Sequence, residues 1–281
     1  MNPAVAACLE SSISCCFSFH SSRFFQFPTF TLIPNTPPPP PRLSFKKSTS
    51  ALTCSIRHHA VSGSTFELQN KADDIASHLR GTCIYLVGIN TKIKTSLGKF
   101  IAQTLRYYFF DSDKLIEEAT GGSAAAKSFR ERDEKGFRES ETEVLKQLSS
   151  MGRLVVSAGN GAFGSPANLS LLRHGILIWI DIPLDMIAKE AVEDGLELSE
   201  LELSPTVSYP EVLDQLTALY KQMQDGYATA DATISLQKLA QKLGYDALDA
   251  VTEEDMGLEV LKELEKLMRV KKLMEEAARP F

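Results

Sequence analysis

The chain has 281 residues and a formal charge of −6, room for one ordinary domain of about 200 residues with something added. Acidity outside the first 60 residues argues against nonspecific nucleic-acid binding, and no apolar run reaches the ~18 residues of a membrane span. Of five cysteines, four (Cys8, Cys15, Cys16, Cys54) lie near the amino end and only Cys83 in the folding part, so neither a disulfide framework nor a zinc site can be built.

The addition comes first. Residues 1 to about 60 are rich in Ser, Phe and Pro and carry Arg23, Arg42, Lys46, Lys47 and Arg57 against Glu10 alone, a net of +4 that leaves −10 on the remainder. A basic, acid-poor, Ser-rich leader before an acidic domain reads as an organellar transit peptide. The run Pro37 to Pro41 would break the amphipathic helix of a mitochondrial leader, so a plastid address is expected. A disordered regulatory tail is the alternative reading. The expected organisation is a transit peptide at 1–54, a linker at 55–65, a domain at 66–260, and a C-terminal helix and tail at 261–281.

In residues 66–79, Leu68, Ala72, Ile75, Ala76 and Leu79 share one helical face, and Gly81 follows as a stop. The next stretch is CIYLVGINTKIKTS, Cys83 to Ser96. An apolar strand pattern ends at Gly88, and a lysine-bearing loop leads to Thr95 and Ser96 at the start of a helical pattern. This is the outline of a phosphate-binding loop, G-x-x-x-x-G-K-[ST], with Ile93 in place of the second glycine. Such a loop turns backbone N–H groups toward phosphate, and a β-branched residue disfavours the positive φ that glycine supplies. A misshapen cradle is therefore expected. By itself the stretch reads equally well as a buried strand and loop of any α/β domain.

Leu97, Phe100, Ile101 and Leu105 predict a helix against a sheet. Tyr107 to Phe110 predict a second strand, ending in Asp111-Ser112-Asp113. A long polar helical region is expected from about Ser123 to Ser150. A third strand, RLVVS, runs from Arg153 to Ser157 into the loop Ala158-Gly159-Asn160-Gly161. A fourth, Ile176 to Ile180, is closed by Asp181 and Pro183. Apolar strands alternating with helices predict a parallel sheet covered on both faces, with ligands beyond the carboxyl ends of its strands. Three of those ends carry residues suited to chemistry: the Gly88 loop, the Asp111/Asp113 pair, and the Gly159/Gly161 loop.

The segments IYLVG, FFDSDKLIEEATGG, FRESETEVLKQLSSMGRLVVSAGNGA and IWIDIPLD together resemble the shikimate kinase family, especially its plant plastid form, over roughly residues 66 to 260. The resemblance implies an α/β, P-loop, nucleoside-monophosphate-kinase-like fold: a five-stranded parallel sheet with helices on both faces, a substrate-binding helical region and a mobile lid. It implies nucleotide-binding positions at Gly88, Lys94 and Thr95, with Asp111 and Thr95 as metal candidates. Substrate positions are implied at Asp113, Arg138, Gly159 and Gly161. Glu141, one turn after Arg138, can orient that arginine; without the resemblance the two form an ordinary i,i+3 ion pair.

Four departures stand against the kinase reaction. Ile93 replaces the loop glycine. Asn160 replaces the middle of three glycines; it tolerates left-handed torsions, and its side chain is expected to point into the substrate space. Met223 stands where the resemblance implies a second substrate arginine, four residues before Tyr227, and offers no bidentate fork. The lid stretch, Glu193 to Tyr209, holds Glu193, Asp194, Glu197, Glu200 and Glu202 and no basic residue. A lost phosphate-binding arginine costs roughly 10³-fold or more in phosphoryl transfer. Lys92 and Lys221 are the cations that could substitute.

Further on, Thr252 with Asp255 resembles a capping box. It opens a helix with Val260, Leu261, Leu264, Leu267 and Met268, then Leu273 and Met274. That stripe either packs on the domain or meets a partner. The expectation is a stromal chloroplast protein with no catalytic residue, no ATP or Mg²⁺ requirement and an unidentified protein partner, in chloroplast biogenesis. A weak ATP·Mg-dependent small-molecule kinase with an altered acceptor is the alternative, motivated by the retained Lys94, Thr95, Asp111 and Asp113.

Overall fold

The structure is a computed structural model that describes residues 63–194 and 208–278, without the side chains of residues 63–70 and 194. The leader and most of the acidic lid stretch lie outside the described residues. Among the described residues, ten α-helices surround one sheet. In chain order they are α1 (Gly63–Leu79), β1 (Ile84–Val87), α2 (Lys92–Leu105), β2 (Tyr108–Asp111), α3 (Ser112–Thr120), α4 (Ser123–Arg132), α5 (Glu134–Ser150) and β3 (Leu154–Ser157). After a 3-10 turn at Asn160–Phe163 come α6 (Pro166–Leu172), β4 (Ile176–Asp181), α7 (Leu184–Asp194), α8 (Tyr209–Tyr227), β5 (Ala232–Ser235), α9 (Leu236–Leu243) and α10 (Glu253–Ala277).

All strands are parallel in the order β2-β3-β1-β4-β5. Central strands β1 and β3 are buried at every residue, which is why their sequences are unbroken apolar runs. Side chains alternate between faces, so β1 divides two cores. Ile84 and Leu86 join α1, α2, α7, α9 and α10, through residues such as Leu79, Ile101, Ile187, Leu239 and Leu264. Tyr85 and Val87 join α3, α5 and α6, through Leu115, Val144, Leu148 and Leu172. Helix α8 serves both, with Leu216 in the first core and Tyr227 in the second.

Two sequence expectations change, and one strand that the resemblance implied had no signal of its own. The helical region at 123–150 is two helices, because Asp133 ends α4 and its carboxylate caps α5 at Gly136 N. Strand β5, ATIS, has only Ile234 fully buried, so no pattern in the residues announced it; the five-stranded sheet came from the resemblance alone. The division at 260/261 falls inside α10, whose Leu261 and Leu264 belong to the first core.

Candidate functional site

The carboxyl ends of β1, β2 and β3 meet at one edge of the sheet. There the chain binds itself. The β1 loop is short: Gly88 follows β1, and α2 already begins at Lys92. Gly88 has φ +128, and a Cβ there would stand 2.5 Å from the Ile180 carbonyl oxygen, so glycine is required twice over. Thr91 is the N-cap of α2, and its side chain accepts from Lys94 N at 3.1 Å. Ile93 lies inside the first helical turn and packs against the first core. The expected conflict with positive φ is therefore corrected, since positive φ in this loop occurs only at Gly88. Helix, rather than open loop, occupies the position of Ile93.

A helix N-terminus suits anions because its first N–H groups lack intrahelical acceptors. In α2 two of these donors are engaged from within. Lys94 N is taken by Thr91, and Lys92 N donates to Glu190 Oε1 at 3.0 Å, from α7. The Lys94 side chain is fully buried, and its Nζ donates to the carbonyls of Gly88 and Ala158, each at 2.9 Å. Lys94 thus ties the β1 loop to the end of β3. Lys92 is exposed on the outer side of the same turn.

The second loop is equally engaged. Asp111 ends β2 and caps α3, its Oδ1 accepting from Asp113 N at 3.2 Å and Lys114 N at 3.3 Å. Asp113 accepts from the Asn90 side-chain amide, which reaches over from the β1 loop. Ser112 Oγ accepts from Gly159 N at 2.9 Å and joins this loop to the third. Among the described residues no group of three His, Cys, Asp or Glu side chains is placed to hold a metal ion. One Asp111 oxygen already serves as a helix cap.

In the third loop both glycines lie against a carboxylate that would have to move for a larger residue. A Cβ on Gly159 would lie 1.8 Å from Asp113 Oδ1, and one on Gly161 would lie 2.0 Å from Glu141 Oε1. Asn160 needs no left-handed torsion, since a 3-10 turn starts there. Its side chain is buried and its Oδ1 accepts from the Tyr227 hydroxyl at 3.0 Å. The amide turns toward α8, where its hydrogen-bond partner holds it, as a buried carboxamide requires. Tyr227 stacks on Trp179, with ring centroids 5.6 Å apart, and Tyr220 flanks both rings. Burial pushes the Tyr220 hydroxyl above its usual range, with Asp181 adding to the rise.

Arg138 and Glu141 form the expected i,i+3 pair at 3.0 Å; the Glu141 side chain is 6% exposed and holds the half-exposed arginine. Met223 packs against the second core, and Lys221 is exposed, so both are placed as an apolar wall and a surface charge. A space of about 10 Å³ lies between Ile89, Trp179, Asp181, Tyr220 and Tyr227, scarcely room for one water. A larger cavity of about 320 Å³ opens beside α2, between Ile93, Met186, Leu236, Leu248, Val251 and Met256, with Lys92, Asp249 and Glu253 at its edge.

Thr91, Asn90, Ser112 and Glu190 were not singled out from the sequence. Thr91 carried a legible signal, a hydroxyl residue just before a helical pattern. Glu190 carried none: it lies 98 residues from Lys92 and meets it only through the fold.

The family model described as shikimate kinase matches residues 91–246. A chloroplastic Arabidopsis thaliana protein named "Probable inactive shikimate kinase like 1" is 59% identical over 214 residues, 76% of this chain and 73% of its own. The chain belongs to the shikimate kinase family. Within that family it is also 40% identical to the rice chloroplastic shikimate kinase 3 over 208 residues, 74% of this chain and 72% of that one. Among solved structures, the Acinetobacter baumannii shikimate kinase in complex with shikimate superposes with a TM-score of 0.53 at 25% identity, over 71% of this chain and 99% of that chain. The parallel five-stranded sheet is thus the shikimate kinase architecture, with α10 continuing beyond the segment that the family model matches.

Proposed function

We propose that this protein keeps the shikimate kinase fold without the phosphoryl-transfer reaction, and serves as a binding or structural component in the chloroplast stroma during chloroplast biogenesis. One observation carries the reading: Lys92 N, Lys94 N and Lys94 Nζ, donors that a phosphate would use, are engaged by the chain's own carbonyls, hydroxyl and carboxylate, with Glu190 on the α2 N-terminus. Phosphoryl transfer is catalysed by positioned cations that neutralise developing charge. Here a carboxylate stands at that place. The stretch from His174 to Met268 has no arginine, and Met223 supplies no charge. The name of the Arabidopsis relative and the chloroplastic names of the plant relatives support inactivity and the plastid location. The basic leader at 1–54, before a domain beginning near residue 66, supports import.

The vestigial nucleotide positions are Gly88, Lys94 and Thr95, and the vestigial substrate positions are Asp113, Arg138, Gly159 and Gly161. The 320 Å³ cavity beside α2 favours a second reading, a weak ATP·Mg-dependent kinase with an altered acceptor. Calorimetry with ATP·Mg on the processed domain separates the two. Affinity of about 1 mM or weaker, some 4 kcal/mol, is expected. Micromolar affinity with phosphate transfer to any acceptor overturns the proposal.

A further inference from the structure

Helix α10 starts as part of the domain and ends outside it. A Thr252–Asp255 capping box opens it, and Met256, Val260, Leu261 and Leu264 are buried in the first core. From Arg269 to Ala278 every residue is exposed. These ten residues project as a bare extension of about 15 Å, and a helix end of that length gains little stability in water on its own.

The projecting part is not uniformly polar. Val270, Leu273, Met274 and Ala277 recur at the i, i+3, i+4, i+7 spacing of one stripe. Val270 is 50% exposed, Leu273 64% and Met274 68%. At 100° per residue the centre of this stripe is turned by about 120° from the centre of the face that α10 buries, with only Met274 in line with buried Met256, so it is not a simple continuation of the core. Arg269 and Glu276 both flank it on the same side, seven residues apart and opposite in charge. Lys271 lies on the other flank.

We infer that this stripe pairs with its own equivalent in a second copy of the chain, forming a twofold antiparallel helix pair centred near Leu273. Two antiparallel helices related by a twofold axis bring like flanks together. Centring on Leu273 therefore sets Arg269 of each copy beside the other copy's Glu276, twice over. The apolar stripe meets itself, with Leu273 at the axis and Val270 between the other copy's Met274 and Ala277. The overlap uses the whole projecting segment and leaves the two domains at opposite ends. A parallel pair would instead set Arg269 beside Lys271 of the other copy and crowd the two domains together. Arg269 already pairs with Glu265, which Lys71 of α1 holds at 2.7 Å, so its side chain is positioned from within the domain.

Two three-turn faces bury less than the ~1,200–2,000 Å² of a standard interface, so the dimer dissociates at roughly tens to hundreds of micromolar. Sedimentation of the full chain across about 5 to 300 µM brackets that range. The expected result is a monomer at the low end and a rising share of dimer at the high end. Leu273→Asp abolishes the rise. Arg269→Glu and Glu276→Arg each weaken association about three- to tenfold, and the double exchange restores it. None of these residues is part of the buried core, so an unchanged thermal midpoint shows that folding is intact. A monomer at every concentration overturns the inference, and so does association unaffected by Leu273→Asp. Failure of the double exchange to restore association overturns the antiparallel arrangement.

Discussion

Glu190 Oε1 lies 3.0 Å from the Lys92 backbone nitrogen and accepts its hydrogen. The contact joins α7 to the first turn of α2 and places a carboxylate where the helix dipole favours an anion. A phosphate brought to this helix end would have to compete with that carboxylate. Glu190→Gln removes the charge and keeps the shape. ATP or inorganic triphosphate should then bind about three- to tenfold more tightly than to the unaltered protein, a gain of some 1 kcal/mol, measurable by calorimetry. Shikimate turnover stays absent. Unchanged anion affinity would show that Glu190 does not guard the site.

Ile93→Gly restores the loop residue that the sequence lacks, yet Ile93 sits within the first turn of α2 and against the core. The substitution should cost about 1–3 kcal/mol in urea unfolding, from lost burial and added chain entropy. It should give no shikimate phosphorylation, because Glu190, Met223 and the arginine-free stretch are unrepaired. Turnover in this single variant, followed by coupled ADP release, would show that one glycine decides activity.

Two glycines with positive φ separate backbone strain from collision. Gly121 has φ +98 and no atom within 4 Å of an added Cβ, whereas Gly88 has φ +128 and meets the Ile180 carbonyl at 2.5 Å. Gly121→Ala should cost about 1–2 kcal/mol, the left-handed penalty alone. Gly88→Ala must also displace β4 from the β1 loop, and its cost should exceed that of Gly121→Ala by at least about 1 kcal/mol. Equal denaturation midpoints would refute the close packing at Gly88.

Tyr227→Phe deletes the hydroxyl that donates to the buried Asn160 amide. A buried carbonyl left without that donor costs about 1–3 kcal/mol. In a double-mutant cycle with Asn160→Gly the two effects should fall short of additivity by at least about 0.5 kcal/mol. Strict additivity would mean that the two side chains do not cooperate.

The Lys71 hydrogen bond holds the Glu265 carboxyl below its usual range; burial opposes this, and the Lys71 and Arg269 charges reinforce it. Its contribution is fully present above the unfolded carboxylate pKa and is lost as pH falls through the lower folded value. Thermal midpoints measured from neutral pH downward should therefore show an acid loss that Lys71→Met reduces. An identical acid slope in the variant would remove this pair from the docking of α10 on α1.

Much of the fold was legible because its signals are local. The runs of β1, β3 and β4, the glycine after β1 and the capping box at Thr252 follow from burial and torsion at neighbouring residues. Strand β5 was not legible, since a short edge strand with one buried residue has no pattern of its own.

The candidate site divides the same way. The sequence by itself determined which groups are present: Lys94, Asp111, Asp113 and the loop glycines, with Ile93, Asn160 and Met223 where the resemblance implies two glycines and an arginine. Only the tertiary structure decided what those groups hold: Asn90 on Asp113, Lys94 on two carbonyls, Tyr227 on Asn160 and Glu190 on the head of α2. Residue identity fixes charge and hydrogen-bonding capacity, but partners arrive from distant strands and helices, and the sheet order alone sets which of them meet.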